Sequence, residues 1–278
     1  MNGPILSIIT VNFNNNLGLL KTLESVSSQS FSSYEHIIID AGSTDGSRET
    51  IIQYEKENPH LSFWSSEPDK GIYDGIYKGI DHAKGQYLYF LNSGDCLSQD
   101  ILAKIPFDGT EYLYGDTILF YKRKTKKRVY PDTLDLIYLS DNSLHHQSCF
   151  IHHTLFKDKR YDINYKIISD WAHCFQCLII ENRTYRHLPY IISECDGRGI
   201  SSNGKELNQE RTLWFQNTFP ATQSKVFIDC AALDRSGFRD IIHILANTHK
   251  FKKRMKTLIL FLYEINNLFS YKHKRIKN

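Results

Sequence analysis

A chain of 278 residues with 41% hydrophobic content can bury a sizeable core, and its length allows one large domain or two small ones. Six scattered cysteines argue against a disulfide framework, and no run of eighteen uninterrupted apolar residues is present to form a membrane span. The formal net charge of +3 is unevenly spread: residues 249–278 hold nine Lys/Arg against one acid, Glu264, leaving 25 basic against 30 acidic residues in 1–248.

Residues 5–11 form a short run rich in β-branched side chains, followed by Asn12 to Asn16, which reads as a buried strand and its turn. No basic segment with a long apolar core opens the chain, so a signal peptide is not expected and the protein is placed in the cytoplasm. Leu20, Leu23 and Val26 have helical spacing within 17–29. The cycle then repeats: strand 34–40, loop 41–46, helix 47–57, strand 61–65, a Pro/Gly turn, helix 72–83 and strand 87–91. Strands alternating with short helices predict βαβ units and a parallel sheet with right-handed crossovers.

Further strand-like pieces follow at 112–116, 147–151 and 185–193, with a helix expected from about 170 to 180 and mostly helix after 196. Cys174 and Cys177 have CxxC spacing but lie in that apolar helical pattern without a second pair, so a buried helix face is expected. The basic run Lys122-Arg123-Lys124-Thr125-Lys126-Lys127-Arg128 reads as a solvated hairpin tip, or as a surface for anionic lipid or phosphate.

Three strand ends deliver polar loops, Asn12-Phe13-Asn14, residues 40–45 and Asn92-Ser93-Gly94-Asp95. Parallel neighbours end on one edge, so these loops should converge on a crevice. The aromatic Phe13 beside amides and carboxylates suits a nucleobase, whose edge Asp40 or Ser43 could read. Asp95, after a buried strand, is placed for a metal or diphosphate, although residues 92–95 are also ordinary turn formers. Asp40 and Asp45 could instead cap the helix starting near Ser47, and Asp170 could cap its own helix with Trp171 in the core. Neither a Gly-x-Gly-x-x-Gly nor a P-loop pattern occurs.

These motifs, together with Ser66-Glu67-Pro68-Asp69-Lys70-Gly71-Ile72-Tyr73-Asp74, His145-His146-Gln147 and Ile168-Ser169-Asp170-Trp171, resemble the family-2 inverting glycosyltransferases of bacterial surface-polysaccharide synthesis. The resemblance spans roughly residues 5–200. It implies a GT-A fold, an α/β architecture with a Rossmann-like, mostly parallel sheet flanked by helices. A catalytic domain over 1–203 would have a nucleotide-sugar half (1–100) and an acceptor half (101–203), and 204–278 would be a helical C-terminal extension. The implied donor is a nucleotide sugar, usually a uridine diphosphate sugar, with Mn²⁺ or Mg²⁺ as cofactor. Carried over, Val11, Phe13, Asn14, Asp40, Ser43, Asp45, Lys70, Asp74, Asn92 and Ser93 would contact the donor and Asp95 the metal. Asp170 would be the general base, and His146, Gln147 and Trp171 would shape the acceptor subsite.

Two positions depart from the family pattern. Asn92-Ser93-Gly94-Asp95 keeps one carboxylate where many relatives have a cluster, and Ala41 stands where many have a second acid. The lone acid motivates a second reading, a catalytically silent relative that binds nucleotide or glycan as an assembly subunit. A sugar-1-phosphate nucleotidyltransferase should show a Gly- and Arg-rich N-terminal loop, which Asn12 to Asn16 is not.

Phe251, Met255, Leu258, Leu262, Ile265 and Phe269 fall on one helical face with basic clusters at both ends. Such a helix suits peripheral contact with an anionic membrane at the inner face of the cell membrane, where a glycan or polyprenol-linked acceptor would be met. The same face could pack on the body or on a second copy, giving a homodimer. Nucleic acid is not an expected partner, because the aromatics lie on the apolar stripe and not among the basic residues.

Overall fold

The computed structural model describes residues 3–157, 159–199 and 204–237. The first half follows the hydrophobic runs. Strands β1 (Leu6–Asn12) and β2 (Tyr34–Asp40) are buried along their whole length, β3 spans Leu61–Ser66 and β4 Tyr87–Phe90. Between them run helices α1 (Asn16–Ser27), α2 (Ser47–Glu57) and α3 (Ile72–His82). All three strand pairs are parallel, in the order β3-β2-β1-β4. The order reverses between β1 and β4, and at such a point the loops beyond the strands open a crevice. Helix α3 lies tight on β1 because a Cβ at Gly79 would run into the Ile9 side chain.

The second half completes the same sheet with mixed directions. It adds β5 (Cys96–Leu97), β6 (Tyr112–Tyr121), β7 (Lys124–Arg128), β8 (Cys149–His152) and β9 (Tyr185–Asp196). β8 lies antiparallel to β4 and β6, while β9 runs parallel to β6 and pairs with β5 at the sheet edge. The strand expected at 147–151 begins at Cys149, because His146–Ser148 form a 3₁₀ turn. β7 folds back on β6 through Lys122 and Arg123, so the basic run is a hairpin.

Helix α4 spans Leu136–Asp141, and α5 spans Ser169–Phe175 before loosening into a π-helical turn at Gln176–Ile180. Helices α6 (Gly204–Thr218) and α7 (Ala221–Arg235) follow.

Alternation along the strands divides the core. Ile9, Val11, Ile37, Ile39 and Phe90 face Tyr73, Ile76, Trp171 and Phe175, and Trp214, Phe215 and Phe227 of α6 and α7 join the same cluster. Leu6, Ile8, Tyr87, Tyr89, Leu113 and Phe150 form the opposite side. Each large apolar side chain buried this way contributes about 1.5–3 kcal/mol. Cys174 and Cys177 are buried free thiols on the first of these faces, as their spacing predicts. Among the described residues no helix is long and apolar enough to cross a membrane. The amphipathic stretch 249–278 lies outside the described residues.

Candidate active site

At the end of β2 the Asp40 carboxylate, 0% exposed, receives four hydrogen bonds. Asn12 Nδ2 (2.7 Å) and Ser43 Oγ (2.5 Å) donate to Oδ1, and the Ser43 amide (2.9 Å) and Ser66 Oγ (2.6 Å) to Oδ2. Burial alone would raise its pKa, but the donors from Ser43, Ser66 and Asn12 outweigh it and hold the group below the usual carboxylate range. The expectation that Asp40 reads a base edge is therefore corrected: its oxygens point inward and shape the loop.

Asp45 has a similar task nearer the surface. It accepts from the Asn16 amide at 2.8 Å and from the Ser47 hydroxyl at 2.6 Å, so it ties the first turns of α1 and α2 together, and these bonds lower its pKa. Ser43 Oγ accepts from the Asn14 amide at 2.8 Å, and Asn14, at φ 46°, accepts from the Thr44 amide at 2.9 Å. Phe13 is left 64% exposed on this rim, its ring face available. The Val11 side chain is buried, and its carbonyl accepts from the Ser93 amide at 3.0 Å, which holds the β4 loop to β1.

That loop turns at Gly94, whose φ of 100° lies in the region that glycine adopts without a Cβ penalty. Thr22 Oγ1 receives the Gly94 amide at 2.9 Å and donates to the Asp95 carbonyl at 2.7 Å, fixing the turn on α1. Asp95 is 7% exposed. Gln147 Nε2 donates to Oδ2 at 2.7 Å and the Asp196 amide to Oδ1 at 3.1 Å. Burial still prevails over these donors and over His146, and the pKa is pushed up to about 6.

His146, 7% exposed, stands between two acids. Its Nε2 lies 3.3 Å from Asn92 Nδ2 and its Nδ1 3.4 Å from Asp170 Oδ2, without hydrogen-bond alignment to the latter. Asn92 and Asp170 thus flank the two ring nitrogens. Asp170 occupies the first turn of α5, with its side chain 20% exposed, and Tyr73 Oη lies 2.9 Å from both Asp170 Oδ1 and the Ile167 carbonyl. Burial opposes ionisation of Asp170, but contacts with His146, the Trp171 amide and Tyr73 outweigh it and hold the pKa below the ordinary value. Tyr73 is raised well above its own by burial and by the Asp170 charge, so it remains a donor.

Trp171 is a correction. It is 2% exposed, its indole donates to the Leu139 carbonyl at 2.7 Å, and Trp214 and Phe215 pack edge-on to it, so it offers no face to a sugar ring. Lys70 and Asp74 meet each other at the start of α3, where the Lys70 amide donates to Asp74 at 3.0 Å, and not the Asp95–His146–Asp170 group. Tyr73, Asn12, Ser66 and Asp196 are functional neighbours that residue-type reasoning missed. Tyr73 lies inside a motif already singled out, whereas the Asp196 amide left no signal in the sequence.

Among the described residues no group of three His, Cys, Asp or Glu is gathered to hold a metal ion. The site fits a cation in another way. One buried carboxylate of raised pKa and the orphaned Asn92 Oδ1 would both gain from positive charge. Mg²⁺ takes one or two carboxylates plus substrate phosphates and water, and Mn²⁺ accepts the same oxygen donors.

Comparison with known proteins agrees with this layout. A PGL/p-HBAD biosynthesis glycosyltransferase of Mycobacterium bovis is 26% identical over 211 residues, 73% of this chain and 81% of that protein. An uncharacterized glycosyltransferase of Mycobacterium tuberculosis is 41% identical, but over 36% of this chain and only 38% of its own length. A putative teichuronic acid biosynthesis glycosyltransferase, TuaG of Bacillus subtilis, is 36% identical over 36% of this chain and 40% of its own. Among solved structures, a truncated S. aureus TarS superposes with a TM-score of 0.62 at 15% identity, covering 90% of this chain and 76% of that one. The fold is thus GT-A. Residues 7–165, more than half of the sequence, match the family model described as Glycosyl transferase family 2, and the chain belongs to that family.

Proposed function

We propose that the protein is an inverting glycosyltransferase that moves a single sugar from a nucleotide-sugar donor, a uridine diphosphate sugar, onto a glycan or polyprenol-linked acceptor in surface-polysaccharide synthesis. The observation that carries the reading is the Tyr73–Asp170–His146 arrangement. It holds a carboxylate below its ordinary pKa and partly accessible beside the β4 loop, which His146 touches through Asn92. Asp170 would take the acceptor hydroxyl's proton as that oxygen attacks the anomeric carbon, and direct displacement inverts its configuration. Phe13 would stack under the base, Asn14 and Ser43 would line the nucleoside, and His146 and Gln147 would border the acceptor. Asp95 would hold a divalent cation, which neutralises charge on the departing diphosphate.

The donor assignment draws support from TarS, whose structures include complexes with UDP and with UDP-GlcNAc. A mannosyltransferase of Pyrobaculum calidifontis, 12% identical with a TM-score of 0.58 and covering 96% of this chain and 83% of its own, was solved with GDP-Man and Mn²⁺. A guanosine donor is therefore the arm to test beside uridine. The relatives named for teichuronic acid and PGL/p-HBAD biosynthesis support the acceptor class.

The experiment is a donor-turnover screen over UDP, GDP, CDP and dTDP sugars with Mn²⁺ or Mg²⁺. Asp170→Asn should lower turnover by about 10²–10⁴ with donor binding kept, and Asp95→Ala should abolish metal-dependent donor binding. No binding of any nucleotide by calorimetry, with metal present, would sink the reading.

A further inference from the structure

The β6–β7 hairpin carries a dense charge that the proposed chemistry does not use. Between residues 117 and 131 the sequence has six Lys/Arg and no acid, on a body that is net acidic. The register decides which charges share a face. Lys124 pairs with Tyr121, Lys126 with Leu119 and Arg128 with Thr117, so these three cations lie on one side of the ribbon at intervals of about 6.5 Å. Lys127 pairs with Ile118 on the other side, together with exposed Phe120, and it is taken up by Asp116 at 3.3 Å. Among the described residues Lys124, Lys126 and Arg128 have no acid within ion-pair distance.

The face with the three cations is the one tied to the active site. At its root Thr117 Oγ1 meets Ser193 Oγ at 3.0 Å, and Ser193 Oγ meets Ser148 Oγ at 3.0 Å, next in the chain to Gln147, which holds Asp95. At one end the Lys124 ammonium lies 5.5 Å from the centroid of Tyr121, whose ring packs on Gly197, beside the Asp196 amide bound to Asp95. At the other the Arg128 guanidinium lies 5.5 Å from the centroid of Tyr130, whose hydroxyl is 2.7 Å from Nδ1 of His145, the neighbour of His146. Arg128 and Arg211 converge there on Ser143, donating to its carbonyl at 3.5 Å and its hydroxyl at 2.5 Å, and the buried Arg211 Nε has no partner. A solvated edge strand needs only a charge or two to block edge pairing. Here a row leads inward, from exposed Lys124 and Lys126 to half-buried Arg128 and then to buried Arg211.

Resting on the transferase reading, we infer that this face of β7 is the track for an anionic acceptor, a glycan whose repeat carries carboxylate or phosphate groups, laid along Lys124, Lys126 and Arg128 with its accepting end towards Asp170. Charge complementarity selects an anion, and cations spaced regularly along a strand suit a repeating charge better than a single one. A bilayer is not matched, because exposed Phe120 lies on the opposite face and the cations have no apolar company to insert with them. The donor nucleotide is not matched either. The rim of Phe13 and Ser43 follows β1 and β2, and β4 and β8 stand between those strands and the hairpin.

The test is calorimetry of the full chain, without donor and at low salt, with oligogalacturonate, inorganic polyphosphate and a neutral maltooligosaccharide. At least one of the two anions should bind, and which one does tells carboxylate from phosphate; the neutral sugar should not bind. K124Q/K126Q should weaken anion binding by about tenfold. K122Q/K127Q removes the same charge from the turn and the opposite face, and should change it by less than about twofold. Added salt should shrink the gap between the two variants. R128Q should add to the loss, and because it also touches Ser143 the exposed lysine pair carries the decision, with circular dichroism checking each fold. Equal losses in the two double variants, or equal binding of the neutral sugar, overturn the inference. So does binding to phosphatidylglycerol vesicles with neither polyanion bound. Nucleotide binding by the parent is read separately: a chain that binds the polyanion along the track but binds no nucleotide would defeat the transferase reading and leave a glycan-binding face.

Discussion

Asp40 and Asp95 follow strands on either side of β1, both almost out of water, yet they are treated in opposite ways. Asp40 has four donors and a depressed pKa, and the loop is moulded around it. Asp95 has two donors, not enough to offset its burial, and its pKa rises to about 6. A buried charge with a full set of donors stabilises the loop around it, whereas one short of donors would gain from a ligand of opposite sign. The loop around Asp40 is thus held by the chain's own donors, whereas Asp95 is left short of them.

The contrast can be attacked directly. Asp40→Ala should be the most damaging change, removing the acceptor for four buried donors and costing about 3–4 kcal/mol in urea unfolding at pH 7. A variant as stable as the parent would erase the distinction. Asp95→Asn should act in the other direction. The folded pKa of about 6 lies above the ordinary value of 3.8, so the contribution of Asp95 to stability is full below about pH 4 and is lost as pH rises through 6. The shift corresponds to a cost on the order of 3 kcal/mol at neutral pH. The asparagine variant should therefore recover part of that at pH 7 and gain nothing at pH 4, as followed by thermal unfolding across pH.

Smaller effects sharpen the picture. Gly94→Ala puts a side chain at φ 100° and should cost about 1–2 kcal/mol, with metal-dependent donor binding weakened more than metal-free nucleotide binding. Tyr73→Phe removes one donor from Asp170 and should cost about 1 kcal/mol. Because that donor helps depress the Asp170 pKa, the acid limb of the kcat/KM profile should move to higher pH. An unmoved limb would separate Tyr73 from the base.

Much of this was legible in the residues. Strand runs such as 34–40 and 87–90 carry their own burial, and turn chemistry marked where Asp40 and Asp95 leave the sheet. What stayed hidden depends on contacts across the chain. Nothing local tells that Ser66 reaches Asp40, or that Asp95 is held by Gln147, 52 residues on, and by an amide 101 residues on. Trp171 was misplaced because its neighbour Asp170 faces the crevice while the helix turns the indole towards α6. Successive helix positions lie about 100° apart, so adjacency in a motif does not mean a shared surface.

The aromatic packing of α6 and α7 against α5 has a consequence for inheritance. Arg211 of α6 lies over the Trp171 ring, 4.7 Å from its centroid, and donates to Ser143 Oγ at 2.5 Å. The stretch shared with the family model stops at residue 165, before Asp170. A chimaera that borrowed its C-terminal helices from a relative would therefore also import the packing that positions α5, the helix that carries Asp170.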